Sequence, residues 1–565
     1  MTKHIDIKNV TFQYPGATEP VLNNVNLSIE KGDFVAILGG NGSGKSTLCK
    51  LLNGLIPHYY VGDFAGEVTV NNLNTLDHKV ADLSRTVGYV YQDFENQIVS
   101  PRVLEDACFA PLHYGLADYR ERGLRALQLV GLAEVKNAFV WQLSGGQKHL
   151  LALASVLSLN PEIIIIDEPV AQLDPQHAKV IYDILKELNE VHGKTIIVIE
   201  HHTEFVASYA KNVVLMEKGN VTFKLPVKEA LNQVDILLAH QIYPPQITQA
   251  AKMIGVIDSL PITIEEGLPT FSELGPLEAH IKHSASKLNP IVSYEKVNFS
   301  YKTVSRDKKQ VLHDINCTIY EGDYIALVGN NGAGKSSFMR LITGLVKPGS
   351  GDVLVDGTNT RKLSPEHLAE KVTYIHQNPE QMFIEDCVDK DVEFFMKARK
   401  VKNYRSKVEQ LLEQFELTNL ADHDSRLLSG GQQRRASLAI GVGMHPEIML
   451  LDEPTANLDI STRKHITRLL DGLKDTLKAV IVATHDMQLV CEFANRIIVM
   501  HEGRIIHDGD RESVFQNYRL LEKAGLVPPQ IFSFTQSLGW DQPAYTVEEF
   551  AIRYQGRDVA NGVYA

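Results

Sequence analysis

The chain has 565 residues, too many for one ordinary hydrophobic core, so several domains are expected. Lys and Arg number 56 against 69 Asp and Glu, a formal charge of −13, which argues against a protein that grips a nucleic-acid backbone. The five cysteines (Cys49, Cys108, Cys317, Cys387, Cys491) show no CxxC spacing and read as reduced thiols of a cytosolic protein. Residues 1–6 lack the apolar core of a signal peptide, and the longest apolar-looking stretch, 150–159, is half of what a membrane helix needs. Any membrane role is therefore expected to run through a partner.

In chain order, Phe12-Gln13-Tyr14 comes first, and its tyrosine can stack on a nucleotide base or be an ordinary strand residue. The apolar run Phe34-Val35-Ala36-Ile37-Leu38 then leads into Gly39-Gly40-Asn41-Gly42-Ser43-Gly44-Lys45-Ser46-Thr47, with Leu48, Leu51 and Leu52 following at helical spacing. Strand, glycine loop, helix is the setting of a phosphate-binding loop. Its glycines let backbone N–H groups curl around phosphate oxygens, Lys45 adds a charge for the outer phosphates, and the Ser46 hydroxyl can ligate Mg²⁺. The helix that begins there points its positive end at the anion.

Leu143-Ser144-Gly145-Gly146-Gln147 has the form of a capping box at a helix start, with bare glycine N–H groups that a phosphate can approach; a simple helix cap is the plainer reading. Asp167 and Glu168 follow four isoleucines at a strand end, where one carboxylate can hold Mg²⁺ and the next can orient an attacking water, or both can simply be solvated. His201 ends the run 195–199 and can donate to a γ-phosphate. Short β-branched runs such as 163–166 and 195–199, separated by helical patterns, predict a parallel sheet covered on both faces, with functional residues at strand carboxyl ends.

Each of these features is written twice. The loop recurs as Gly329-Asn330-Asn331-Gly332-Ala333-Gly334-Lys335-Ser336-Ser337, Tyr14 as Tyr301, and the capping box as Leu428-Ser429-Gly430-Gly431-Gln432. Asp452, Glu453 and His485 repeat the acidic and histidine positions, and Gln92 matches Gln377. The loop pair is offset slightly more than later landmarks, because residues 56–66 form a longer connection than 346–351. Even the tails repeat: Pro244-Pro245-Gln246-Ile247 as Pro528-Pro529-Gln530-Ile531, and Thr263-Ile264-Glu265-Glu266 as Thr546-Val547-Glu548-Glu549. The expected domains are 5–243 and 291–526, with appendices 244–274 and 527–565 and a polar linker at 275–290.

With these residues in order, both halves resemble ATP-binding-cassette ATPases: A-loop tyrosine, Walker A, Q-loop (Gln92, Gln377), signature, Walker B, catalytic glutamate, D-loop (Asp174, Asp459) and switch histidine. The resemblance implies an α/β chain of two tandem P-loop, RecA-like ATPase domains, each with a helical signature subdomain and a small C-terminal subdomain. It implies ATP and Mg²⁺ as cofactors, with Ser46, Gln92 and Asp167, or Ser336, Gln377 and Asp452, on the metal. It also implies two composite sites: Lys45, Asp167, Glu168 and His201 with Ser429 and Gly431, and Lys335, Asp452, Glu453 and His485 with Ser144 and Gly146.

A narrower resemblance is to the ATPase pairs of energy-coupling-factor importers of the cobalt and vitamin type, whose Q-loop runs into Gln-Asn-Pro-x-x-Gln and then Asp-x-x-Phe. Here the copies read Gln92-Asp93-Phe94-Glu95-Asn96-Gln97 with Asp106 and Phe109, and Gln377-Asn378-Pro379-Glu380-Gln381-Met382 with Asp391 and Phe394. Phe94 replaces the proline in the first and Met382 the last glutamine in the second. The tails look like that family's C-terminal dimerisation subdomain, and His149 departs from the arginine seen at Arg434. This resemblance implies a peripheral subunit on the cytoplasmic face of the cell membrane, partnered by integral coupling and substrate-binding components, with no nucleic acid. Two other functions fit less well. A soluble tandem cassette acting on ribosomes or nucleic acid predicts a long charged linker and a basic surface, and a fused sugar-importer ATPase predicts a degraded second half, whereas Lys335, Ser336 and Glu453 are all present.

Overall fold

In the computed structural model, residues 3–170, 175–256, 259–271, 289–302, 308–456, 458–474 and 476–555 are described. The D-loop Asp174 and most of the expected linker lie outside them. Two compact units divide the chain. One holds the described residues up to 271, Asp459–Ser461 and those from Gln530 onward; the other holds the remainder from 289 to Pro529.

Each unit carries the same pair of sheets. In the first, a six-stranded sheet runs in the order Asn220–Pro226, Asn212–Glu217, Phe34–Leu38, Thr195–Ile199, Ile163–Asp167, Val87–Val90. Five strands are parallel, as the apolar runs predict, while Asn220–Pro226 is antiparallel to its neighbour. A separate four-stranded antiparallel sheet built on Lys3–Gln13 is not foreseen from the parallel pattern. The second unit repeats the six-stranded order as Arg504–Gly509, Arg496–His501, Asp323–Val328, Ala479–Ala483, Ile448–Asp452, Val372–Ile375.

Alternation along a buried strand explains why these runs are apolar throughout. Ile164 and Ile166 join Ala36 and Val198 in one core, and Ile163 and Ile165 join Ile37 and Ile197 in the other, on the opposite face of the sheet. In the second unit, Ile448 and Leu450 face one core and Met449 and Leu451 the other. Each such side chain contributes roughly 1.5–3 kcal/mol on burial.

The tails form a small helical body inside the first unit. Gln246–Met253, Ile264–Phe271, Gln530–Ser537 and Val547–Gln555 share a core of Ile247, Phe271, Ile531, Phe534, Trp540 and Phe550. The repeated Thr-x-Glu-Glu acts as a cap in both copies. Thr263 Oγ1 accepts from the Glu266 N–H (3.4 Å) while the Glu266 carboxylate accepts from the Ile262 N–H (3.0 Å). Thr546 and Glu549 do the same at 3.1 and 2.9 Å.

Candidate functional site

Parallel register places four loops side by side at one edge of each sheet. In the first unit, Ile37 pairs with Ile199, Asp167 with Ile199, and Val90 with Ile166, so the glycine loop, His201, the Asp167–Glu168 pair and Gln92 all leave neighbouring strand ends. The second unit aligns Leu327 with Ala483, Asp452 with Ala483, and Ile375 with Leu451.

The glycine loops are shaped for an anion. Gly44 caps the helix Lys45–Leu52 at φ 97°, and a Cβ there would stand 2.9 Å from both the Leu22 side chain and the Val21 carbonyl oxygen. Gly334 repeats this at φ 102° before Lys335–Ile342. Lys45 Nζ donates to the carbonyl oxygens of Gly39 and Gly40, both at 2.9 Å; Lys335 Nζ donates to those of Gly329 (2.6 Å) and Asn330 (3.3 Å). Burial lowers the Lys45 pKa, opposed by the carboxylates of Glu168, Asp167 and Asp459. The Ser43 hydroxyl is buried and lacks a hydrogen-bond partner. An orphaned hydroxyl beside a buried ammonium at a helix start fits a triphosphate.

Around the first loop, Asp167 accepts from Tyr89 Oη at 3.2 Å and is hydrogen-bonded to Ser46; burial raises its pKa, and the Ser46 bond opposes that rise. A hydroxyl and a carboxylate converging on one spot fit Mg²⁺. Asp452 accepts from Tyr374 Oη at 2.5 Å in the second unit. Both glutamates that follow adopt left-handed backbone, Glu168 at φ 54° and Glu453 at φ 48°. Such strain in a non-glycine residue is held only where surroundings impose it: their N–H groups donate to the carbonyls of Ile199 (3.0 Å) and Ala483 (2.8 Å). The twist turns each carboxylate toward a histidine, His201 Nε2 at 3.2 Å from Glu168 and His485 Nδ1 at 2.9 Å from Glu453. Burial works against charge on His485, but the bond and charge of Glu453 outweigh it and raise its pKa. Gln92 Nε2 donates to the Glu168 carboxylate at 2.7 Å.

Tyr14 and Tyr301 sit at matching places. Tyr14 Oη lies 3.4 Å from Thr47 Oγ1, and Ser337 Oγ donates to Tyr301 Oη at 3.4 Å. The signature segments form capping boxes as their spacing predicts: Ser144 Oγ accepts from the Gln147 N–H (3.2 Å) and the Gln147 side chain accepts from the Ser144 N–H (3.0 Å), with Ser429 and Gln432 alike. Gly145 and Gly430 face open space, while a Cβ at Gly146 would meet the His177 ring at 2.7 Å and one at Gly431 the Thr462 side chain at 2.8 Å. Of the D-loop pair, Asp459 belongs to the first unit and accepts from Asn41 Nδ2 at 2.9 Å.

Several supporting residues escape a motif reading. Tyr89 and Tyr374 stand at a fixed distance before Gln92 and Gln377, so the repeat itself carried that signal. Asp106 and Asp391, noted in sequence for spacing alone, are buried caps. Asp106 accepts from the N–H groups of Val99 and Ser100 and from Ser155 Oγ; Asp391 accepts from those of Ile384 and Glu385 and from Ser425 Oγ.

Comparison with known proteins shows the family. The pattern defining the ABC transporter family matches residues 22–171 and 312–456. Over 554 residues the chain is 32% identical to a provisionally named ABC transporter ATP-binding protein of Caldanaerobacter subterraneus subsp. tengcongensis, covering 95% of this chain and 96% of that one. A similarly named protein of Enterococcus faecalis is 31% identical over 562 residues, covering 97% of each. Among solved structures, CbiO1 of Clostridium perfringens, described as part of the ABC transporter complex CbiONQ, is 31% identical and covers 42% of this chain and 97% of its own, with a TM-score of 0.38. MJ0796 in a post-hydrolysis state with ADP and Pi is 31% identical, with coverages of 40% and 98% and a TM-score of 0.36. The chain belongs to the ABC transporter family, as an α/β ATPase with two tandem cassettes. Among the described residues, no helix is long and apolar enough to cross a membrane.

Proposed function

We propose that the chain is the ATP-hydrolysing subunit of an importer of the energy-coupling-factor kind, carrying a metal ion or vitamin-like solute through integral membrane partners. The observation that carries the reading is the doubled glutamate–histidine contact: Glu168 with His201, and Glu453 with His485, each glutamate in strained left-handed backbone at the end of its strand. The two cassettes span 5–243 and 291–526, each followed by an appendix, 244–274 and 527–565. Lys45 and Lys335 exchange loop carbonyls for phosphate oxygens of ATP, and Tyr14 and Tyr301 stack on the base. Ser46, Asp167 and Gln92 hold Mg²⁺ in one site; Ser336, Asp452 and Gln377 hold it in the other. The metal supplies charge neutralisation on the phosphates. Glu168 and Glu453 orient water and take its proton, and the histidines donate toward the γ-phosphate.

Ser144 through Gln147, and Ser429 through Gln432, complete the opposite cassette's site. Exposed Val99, Phe109 and Leu112 in the first helical subdomain, and Ile384 in the second, support docking of membrane-subunit helices on a peripheral protein.

The test is ATP turnover together with a membrane pull-down. Purified chain is expected to hydrolyse Mg-ATP, and Glu168→Gln with Glu453→Gln to bind ATP without turnover. Binding without turnover by the wild type, alone and with its partners, or recovery on ribosomes in place of membranes, would overturn the reading.

A further inference from the structure

The two Q-loops are secured differently, although the segments that carry them are copies. In the second unit, Arg434 is buried and forks onto the loop: Nη1 donates to the His376 carbonyl (2.8 Å) and Nη2 to that of Gln377 (2.6 Å). Met382, where the importer motif has glutamine, is packed into the neighbouring core. In the first unit the position of Arg434 is His149, too short and flat to form that fork. Its ring lies buried, stacked on Phe94 at 4.4 Å and 13°, with Nδ1 lacking a partner. The loop is held instead by Gln97, whose Oε1 accepts from the Tyr91 N–H (3.2 Å) and whose Nε2 donates to the Tyr89 carbonyl (3.0 Å).

The departures from the pattern therefore pair up. The half that lacks the arginine keeps the glutamine, and the half that lacks the glutamine keeps the arginine. A guanidinium holding two carbonyls is a stronger and more directional clamp than an amide pair, and it grips the Gln377 peptide itself. The Gln97 amide grips the chain just ahead of Gln92 and leaves the Gln92 peptide to be placed by its side chain on Glu168.

We propose that Arg434 and Gln97 are alternative latches: Arg434 positions Gln377, and Gln97, with the Phe94–His149 stack, positions Gln92. The two nucleotide sites thus depend on different residues for the same task. This rests on the ATPase reading above, so the experiment includes a readout that needs no turnover.

The first measurement is hydrogen–deuterium exchange of the ATP-free chain over residues 89–98 and 374–383. Gln97→Met is expected to speed exchange of the Tyr91 amide, and Arg434→His to speed exchange across 376–383, each sparing the other loop. The latches are then exchanged: Gln97→Met/Phe94→Pro/His149→Arg in the first half, and Arg434→His/Met382→Gln/Pro379→Phe in the second. Each triple variant is expected to regain wild-type protection. In turnover assays, each single variant should lower kcat roughly tenfold or more at unchanged KM for Mg-ATP, and each triple variant should recover most of it. Unchanged exchange in both single variants, or triple variants that melt like the wild type yet stay as loose and slow as the singles, would overturn the proposal. If the variants show the exchange pattern while the wild-type chain hydrolyses no ATP, the function is overturned and the latches stand.

Discussion

Gln246 and Gln530 occupy the same place in the two appendices, and each satisfies the other's helix. Gln246 Oε1 accepts from the Ile531 N–H at 2.9 Å, and Gln530 Oε1 accepts from the Ile247 N–H at 3.0 Å. These N–H groups open the helices Gln246–Met253 and Gln530–Ser537, where no intrahelical acceptor exists. The repeated Pro-Pro-Gln-Ile is thus a cap given in trans. Losing either side chain strands a buried donor, so Gln246→Ala or Gln530→Ala should cost ~1–3 kcal/mol each. The double variant should lose less than the sum if the pair is coupled, which a double-mutant cycle by denaturant unfolding would measure.

The signature glycines separate stability from activity. Gly145→Ala and Gly430→Ala add a methyl to open space and should leave melting temperature unchanged while blocking close approach of a phosphate. Gly146→Ala and Gly431→Ala drive a methyl against His177 and Thr462 and should cost about 1–3 kcal/mol in addition. Melting curves and ATPase rates on the four variants check both halves of the statement.

Tyr89 and Tyr374 hold the Walker B carboxylates from beneath. Tyr374→Phe removes the donor at 2.5 Å from buried Asp452, leaving an acceptor short of a partner at a cost of ~1–3 kcal/mol. The expected consequence is a several-fold rise in the Mg²⁺ concentration needed for half-maximal turnover, with little change in KM for ATP. Titrating Mg²⁺ at saturating ATP reads this directly.

His149 makes the fold sensitive to acid. Burial lowers its pKa from 6.5 to about 4, so the native state resists protonation that the unfolded chain accepts. Stability is therefore unaffected above the unfolded value and falls as pH drops from 6.5 toward 4, by about 2 kcal/mol at pH 5. His149→Phe keeps an aromatic stack on Phe94 without a titrating group. Its urea midpoint should fall less than that of the wild type between pH 7 and pH 5.

Much of this was legible in the residues because chemistry at a strand end is local. The isoleucine run ahead of Asp167, the glycines ahead of Lys45 and the Ser-x-x-Gln cap each need only a few consecutive residues to declare their form. The antiparallel sheet on Lys3–Gln13 was not legible, since which strands pair depends on partners far along the chain. The left-handed backbone of Glu168 and Glu453 was not legible either, because the neighbouring strand imposes it on a residue that does not favour it.

The sequence by itself determined that two tandem cassettes exist and which residue types recur at matching places in both, because a repeat fixes identity and spacing without reference to space. Only the tertiary structure decided how each is braced. It set Tyr89 under Asp167, joined the two tails through Gln246 and Gln530, and exchanged the Gln97 latch for Arg434. A hydrogen bond between distant residues depends on the path of the backbone between them, and that path is settled by packing.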